Sequence, residues 1–224
     1  MHFSTESIDP GAHVLKRASK VGALLLVVAL TFVKIFPFSG QIFAACAAVA
    51  VGLLARDGRA RRWFSLGTGG WRSAIAWGVA GAFAIFGMDA LLFELYPFLG
   101  IAPMKLDRFA AVRGNAVELI EWLAAIWLLV AVTEELISRA FLVDQWLDVL
   151  PTMGIARAAA VVLSALTFAI VHFYEGLAGT ISNFAAGAIF GVLYLLRGRT
   201  LGSNVVAHGL ADSMALIAIY LGLA

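Results

Sequence analysis

Apolar runs about the length of a bilayer crossing follow one another along this chain, and three of them carry ionisable clusters. The clusters are Thr133-Glu134-Glu135-Leu136-Ile137-Ser138-Arg139, Phe168-Ala169-Ile170-Val171-His172 and His208-Gly209-Leu210-Ala211-Asp212. A charge or an imidazole inside a bilayer is expensive unless it is paired or faces a polar cavity. Adjacent glutamates at that depth also repel each other. Residues of this kind are kept there when they pair, relay protons, bind an ion or perform chemistry.

With 62% of its residues hydrophobic and 13% charged, the chain departs from a soluble domain, which is about half apolar and a quarter charged. The expected fold is all-α: a polytopic transmembrane helical bundle of roughly seven or eight spans, at about 20 residues per span. A net charge of +2 gives no reason to expect nucleic acid, and the basic residues sit beside apolar runs, where they orient helices. Cys46 is the only cysteine, so no intrachain disulfide forms; within its apolar run it reads as a small core residue.

Three regions follow from the pattern: a polar arm at 1–20, N-terminal membrane helices at 21–114, and a helical core at 115–224 that holds all three clusters. The first apolar run follows Lys16, Arg17 and Lys20 without a small-residue cleavage site, and reads as a retained span. Spans are expected near 21–37, with Lys34 snorkelling, and near 41–55, 71–97, 156–173, 180–196 and 201–223. Asp89 and Glu94 fall towards the far end of the 71–97 span, where two positions are open to them: lining the cavity or, the preferred reading, the outer interface. The segment 115–150 approaches twice the roughly 30 Å hydrocarbon core at about 1.5 Å per residue, so a tilt, a kink or a break near the glutamates is expected. Gly187 and Gly191 form a small-xxx-small face for close helix approach. Lys16, Arg17, Lys20, Arg56, Arg59, Arg61, Arg62, Arg72, Arg157, Arg197 and Arg199 fall on one side and Lys105, Arg108 and Arg113 on the other, which orients the N-terminus to the cytoplasm.

Glu135 and Arg139 stand at i and i+4, the spacing at which a carboxylate and a guanidinium pair. That pair leaves Glu134, about 100° around the helix, in a different environment, suited to taking a proton from water. A structural ion-pair network is the competing reading. His208 and Asp212 share a helix face at i and i+4. They read as an Asp that orients a His, or as a ligand with its supporting partner. The other histidines, His2 and His13, lie in the arm. Together, Glu134, Glu135, His172, His208 and Asp212 place two imidazoles and two or three carboxylates on three helices. Two His plus a carboxylate is a common hydrolytic zinc arrangement, so Glu134, His172, His208 and Asp212 are also candidate ligands for Zn2+. The single-helix H-E-x-x-H motif, a G-x-S-x-G elbow, metal-binding Cys pairs and Gly-rich phosphate loops are absent.

In order, Glu134-Glu135-x-x-x-Arg139, Phe168-x-x-x-His172 and His208-x-x-x-Asp212 resemble the motifs of the CPBP family, the CAAX protease and bacteriocin-processing proteins, also called ABI proteins. The stretch Phe184-x-x-Gly187-x-x-x-Gly191-x-x-Tyr194, followed by Thr200-Leu201-Gly202-Ser203, is similar to the family's bacterial members. The resemblance covers about 115–220. It implies an intramembrane endopeptidase, like the type II CAAX prenyl endopeptidases, in a multi-pass bacterial inner membrane, acting on a membrane-associated or lipidated peptide. Glu134 would then activate water with help from His172, Glu135 and Arg139 would form the supporting pair, and His208 and Asp212 would hold the oxyanion or a metal. Prenyl proteases carry Asn in the last motif where this chain has Asp212, and an ionised carboxylate repels an oxyanion that an amide would stabilise. Asp212 is therefore expected to be protonated, to orient His208 or to ligate a metal. Two other functions compete: a non-proteolytic membrane scaffold that kept the fold, and a proton or ion carrier, against which stands the lack of inverted repeats.

Overall fold

In the computed structural model, residues 21–22, 58–151 and 155–223 are described. The arm at 1–20 and nearly all of the spans expected at 21–37 and 41–55, with Lys34 and Cys46, lie outside them. Among the described residues the regular structure is entirely helical: α1 (Ala60–Trp63), α2 (Gly70–Leu95), α3 (Ala116–Val149), α4 (Ala156–Ile170), α5 (Gly176–Leu196) and α6 (Gly202–Tyr220), with short 3-10 turns at Pro97–Leu99, Asp107–Val112 and Phe173–Glu175. Three helical runs are long and apolar enough to cross a membrane: α2, α3 and Phe173–Leu196, which contains α5. Phe83, Phe86, Leu128 and Leu129 point outward from α2 and α3, a surface suited to lipid rather than water.

The long segment does not break at the glutamates. No glycine or proline occurs between Ala116 and Leu150, so nothing interrupts the backbone ladder. Asn115 starts α3 by accepting from the amides of Val117 and Glu118 at 3.1 and 3.3 Å. Leu150 ends it in extended backbone, φ −68° and ψ 147°, the conformation forced on a residue that precedes proline. The excess length is absorbed by π-turns at Ile126–Val130 and Leu136–Val143, which bracket Ala131–Glu135. Such turns leave carbonyls displaced from the α-helical ladder. The Ser138 carbonyl uses this freedom to accept from Ser164 Oγ on α4 at 2.5 Å.

Helix α4 has 15 residues and spans about 22 Å, short of a full crossing. The chain turns back through His172–Glu175 into α5, and Gly176 takes φ +82° at the corner, which a side chain would strain. Gly187 and Gly191 then lie against Ala165 and Val161 of α4, so their small-residue face packs within the chain. A Cβ on Gly187 would stand 3.1 Å from the Ala165 Cα. Gly187→Val is therefore expected to destabilise by about 1–3 kcal/mol through overpacking, read as a lowered melting temperature in detergent. Unchanged melting would contradict the packing.

At one end of the bundle, Asp144 of α3 is fully buried. Arg62, Arg199 Nη1 at 3.3 Å and Trp63 Nε1 at 3.1 Å all reach it, and Arg59 Nη1 stands at 3.8 Å. Arg59 also pairs with Asp148. These arginines were expected only to orient helices; they also tie α1 and the α5–α6 turn to the end of α3. At the other end, the loop from 97 to 115 closes over the bundle. Its Val112 is buried with Ile126, Leu216 and Ile219, and Gly114 N donates to Tyr220 O at 3.0 Å.

Candidate active site

Helices α3, α4 and α6 bring the three sequence clusters to one point. Glu134 and Glu135 are buried on the α-helical turn between the two π-turns. His172 follows the end of α4, and His208 lies mid-way along α6. All six expected site residues converge, in two layers.

The supporting layer centres on Glu135, which has no exposed surface. Its Oε1 accepts from His208 Nδ1–H at 2.9 Å and stands 3.2 Å from Arg139 Nη1. Its Oε2 accepts from Asn204 Nδ2 at 3.1 Å. The Arg139 guanidinium, 1% exposed, lies over the rings of Phe168 and Phe190, 4.7 Å from each centroid, and donates to Gly187 O at 3.4 Å. The cation thus meets π-electron density from two rings as well as a carboxylate. The bland alternative raised by the sequence, an ion-pair network, describes this half of the site well.

The reactive layer centres on Glu134. Its Oε2 stands 4.0 Å from His172 Nε2 and 3.9 Å from His208 Nε2. His172 Nδ1–H donates to Phe168 O at 2.8 Å. Both imidazoles are thus held through Nδ1, by a carbonyl in one case and a carboxylate in the other, so that Nε2 turns to Glu134. Asp212, 38% exposed, places Oδ2 3.4 Å from His208 Nε2. Of the three roles open to Asp212, the contact is with the histidine.

The donor types suit zinc, and the Nδ1 partners are those that metal-binding histidines use. Ligands of a tetrahedral zinc with bonds of about 2.1 Å stand roughly 3.4 Å apart; His208 Nε2 and Asp212 Oδ2 have that separation, whereas both Glu134 contacts are wider. Among the described residues no group of three or more His, Cys, Asp or Glu side chains is disposed to hold a metal ion. Separations near 4 Å suit a water between Glu134 and an imidazole, at about 2.8 Å from each.

Several contributors are not evident from the motifs. Asn204 lies one turn before His208 on the same face, a helical-period signal that points to it. Phe190 stacks on His208 at 5.1 Å, yet in sequence it is one apolar residue among many. Tyr174 brings its ring to 5.9 Å from His172. Asp89 is half-buried on α2, near Ser182 of α5, whose Oγ meets Tyr96 Oη at 2.9 Å. Glu94 is exposed.

Fold and site together define a helical membrane protein with a buried Glu/His centre. Residues 116–214 match the family model described as Type II CAAX prenyl endopeptidase Rce1-like. The match covers less than half of the chain and includes the three motifs and all six site residues. No curated protein and no solved structure matches the chain.

Proposed function

We propose that the protein is an intramembrane endopeptidase that hydrolyses a peptide bond in a membrane-associated or lipidated substrate, with Glu134 activating the water. The observation that carries this reading is the Glu134 carboxylate facing two imidazole Nε2 atoms at 3.9 and 4.0 Å. In the proposed reaction Glu134 takes a proton from the shared water, and the hydroxide adds to the scissile carbonyl. The C–N bond then breaks as Glu134 delivers the proton to the leaving nitrogen. His172 orients the water, and His208, in this scheme the imidazolium with its Nδ1–H on Glu135 and Asp212 beside its Nε2, donates from Nε2–H to the developing oxyanion. Asp212 acts through His208 in this scheme. That removes the conflict posed by an acidic residue where an amide was expected.

No step in this scheme runs through a metal. The zinc reading, which rests on the donor types and on the Nδ1 partners of the two histidines, is tested in the same experiment as the protease reading. Purified protein is incubated with a library of membrane-spanning and lipidated peptides, with and without a strong chelator, and products are read by mass spectrometry. The scheme expects cleavage that the chelator leaves intact. Cleavage abolished by chelator and restored by Zn2+ would replace it with metal-assisted hydrolysis. Cleavage that persisted at wild-type rate in His208→Ala would remove His208 from the mechanism. The Lys and Arg asymmetry supports a cytoplasmic N-terminus for the inserted protein.

A further inference from the structure

The loop that leads into α2, Ser65-Leu66-Gly67-Thr68-Gly69-Gly70, has neither the G-x-G-x-x-G nor the P-loop spacing. Three of its glycines nevertheless take positive φ: +68° at Gly67, +84° at Gly69 and +60° at Gly70. Gly69 is the N-cap of the 26-residue α2, and no side chain caps that end. Left-handed residues turn neighbouring amides into one concavity, and an uncapped helix start adds free N–H groups and the positive end of the dipole.

Arg197, just past the end of α5, is aimed at this loop. It is 7% exposed. Its Nη2 donates to Thr68 O at 2.9 Å, its Nε donates to Ser203 Oγ at 3.2 Å on the first turn of α6, and the guanidinium lies over the Trp77 ring at 5.8 Å. Among the described residues no carboxylate pairs with it, and Nη1 has no hydrogen-bond partner. A buried cation is costly without an anion. Arg59, Arg62 and Arg199 are taken up by Asp144 and Asp148. Exposed Arg72, which lies over the Trp71 ring at 5.3 Å, also has no carboxylate partner among the described residues.

The same loop forms one wall of an apolar groove of about 210 Å³, whose lining includes Phe64, Leu66, Val132, Leu201, Gly202 and Val205. Phe64 and Leu66 are exposed, so the groove opens outward. Leu66 is two residues from Thr68 and Gly202 is next to Ser203, so the groove adjoins both segments that Arg197 grips. Trp71 and Trp77 are exposed near the start of α2, and tryptophans in such a position mark a membrane–water interface. An anion site above an apolar groove at that depth matches the chemistry of a lipid.

We propose that the 67–70 loop, with Arg197 and Arg72, binds the phosphate of an anionic phospholipid of the bilayer, one chain of which lies in the groove between Leu66 and Val205. A zwitterionic lipid carries its own cation beside the phosphate and gains less from unpaired arginines. A free phosphate has nothing to place in the groove. The site does not depend on the protease reading.

In the test, the purified full chain in neutral detergent is titrated with phosphatidylglycerol, with phosphatidylcholine of the same chains, and with inorganic phosphate. Bound lipid is counted by native mass spectrometry. Wild type is expected to bind phosphatidylglycerol about 10- to 100-fold more tightly than phosphatidylcholine, the scale of hydrogen bonds to a charged group. Inorganic phosphate is expected not to displace it. Arg197→Gln is expected to bring the ratio between the two lipids close to one. Because that change also releases Thr68 and Ser203, the surface variant Arg72→Gln is the second arm. It is expected to lower the preference about 5-fold, the contribution of one arginine near a membrane surface, and it decides alone if Arg197→Gln does not fold. Equal binding of the two lipids by wild type would overturn the proposal, as would an unchanged preference in Arg72→Gln or in folded Arg197→Gln. Displacement of the lipid by inorganic phosphate would assign the loop to a soluble anion and overturn it too.

Discussion

Glu134→Gln is expected to lower kcat/KM by about 100- to 10,000-fold, the range a positioned general base contributes. The amide is nearly isosteric but cannot take a proton from water at neutral pH. The change leaves the supporting layer intact, because Glu135, Asn204, His208 and Arg139 hold one another without Glu134. The variant should therefore elute and melt like wild type in detergent while failing to hydrolyse peptide. Retention of more than a tenth of wild-type activity would move the base elsewhere, with His172 the next group to examine.

The second large effect concerns stability. Glu135→Leu removes the carboxylate that meets His208, Asn204 and Arg139, all three of them buried. Breaking a buried ion pair from one side leaves an uncompensated charge and costs about 3–5 kcal/mol. A large fall in melting temperature is expected, along with loss of activity. Replacing both partners, in Glu135→Leu/Arg139→Met, should recover part of the stability, since well-packed apolar side chains often substitute for a buried pair without loss. It should recover none of the activity, because His208 would still lack its Nδ1 acceptor. If the single variant melted like wild type, the packing described around Arg139 would be wrong.

The sequence makes the site more legible than the detailed fold. Glu134, Glu135, His172, His208 and Asp212 stand out because each is costly in an apolar helix, and cost narrows the reasons for keeping them. Their convergence follows from the order of the three motifs on successive helices. Asn204 was within reach, one turn from His208. Phe190 and Tyr174 were not, because which aromatic residue faces a neighbouring helix depends on helix rotation, and a uniformly apolar helix carries little trace of that. Asp144 shows the same limit from the electrostatic side. Arg59, Arg62 and Arg199 are visible as a basic cluster, but their shared partner lies many residues away and becomes evident only when α1, the end of α3 and the α5–α6 turn meet. The long α3 was ambiguous in sequence because its length argued for a break and its lack of glycine and proline argued against one. Two π-turns resolve this by reshaping the helix around the glutamates without ending it.

The most direct test of the central claim follows the oxygen. Wild type and Glu134→Gln, each reconstituted in lipid vesicles with a lipidated peptide that the wild type cleaves, are incubated in water enriched in 18O. Products are then read by mass spectrometry. Hydrolysis by Glu134-activated water predicts one 18O in the new C-terminal carboxylate of the amino-terminal fragment, in wild type alone. Equal labelled cleavage by both proteins, or wild-type cleavage that leaves the new carboxylate unlabelled, would contradict it.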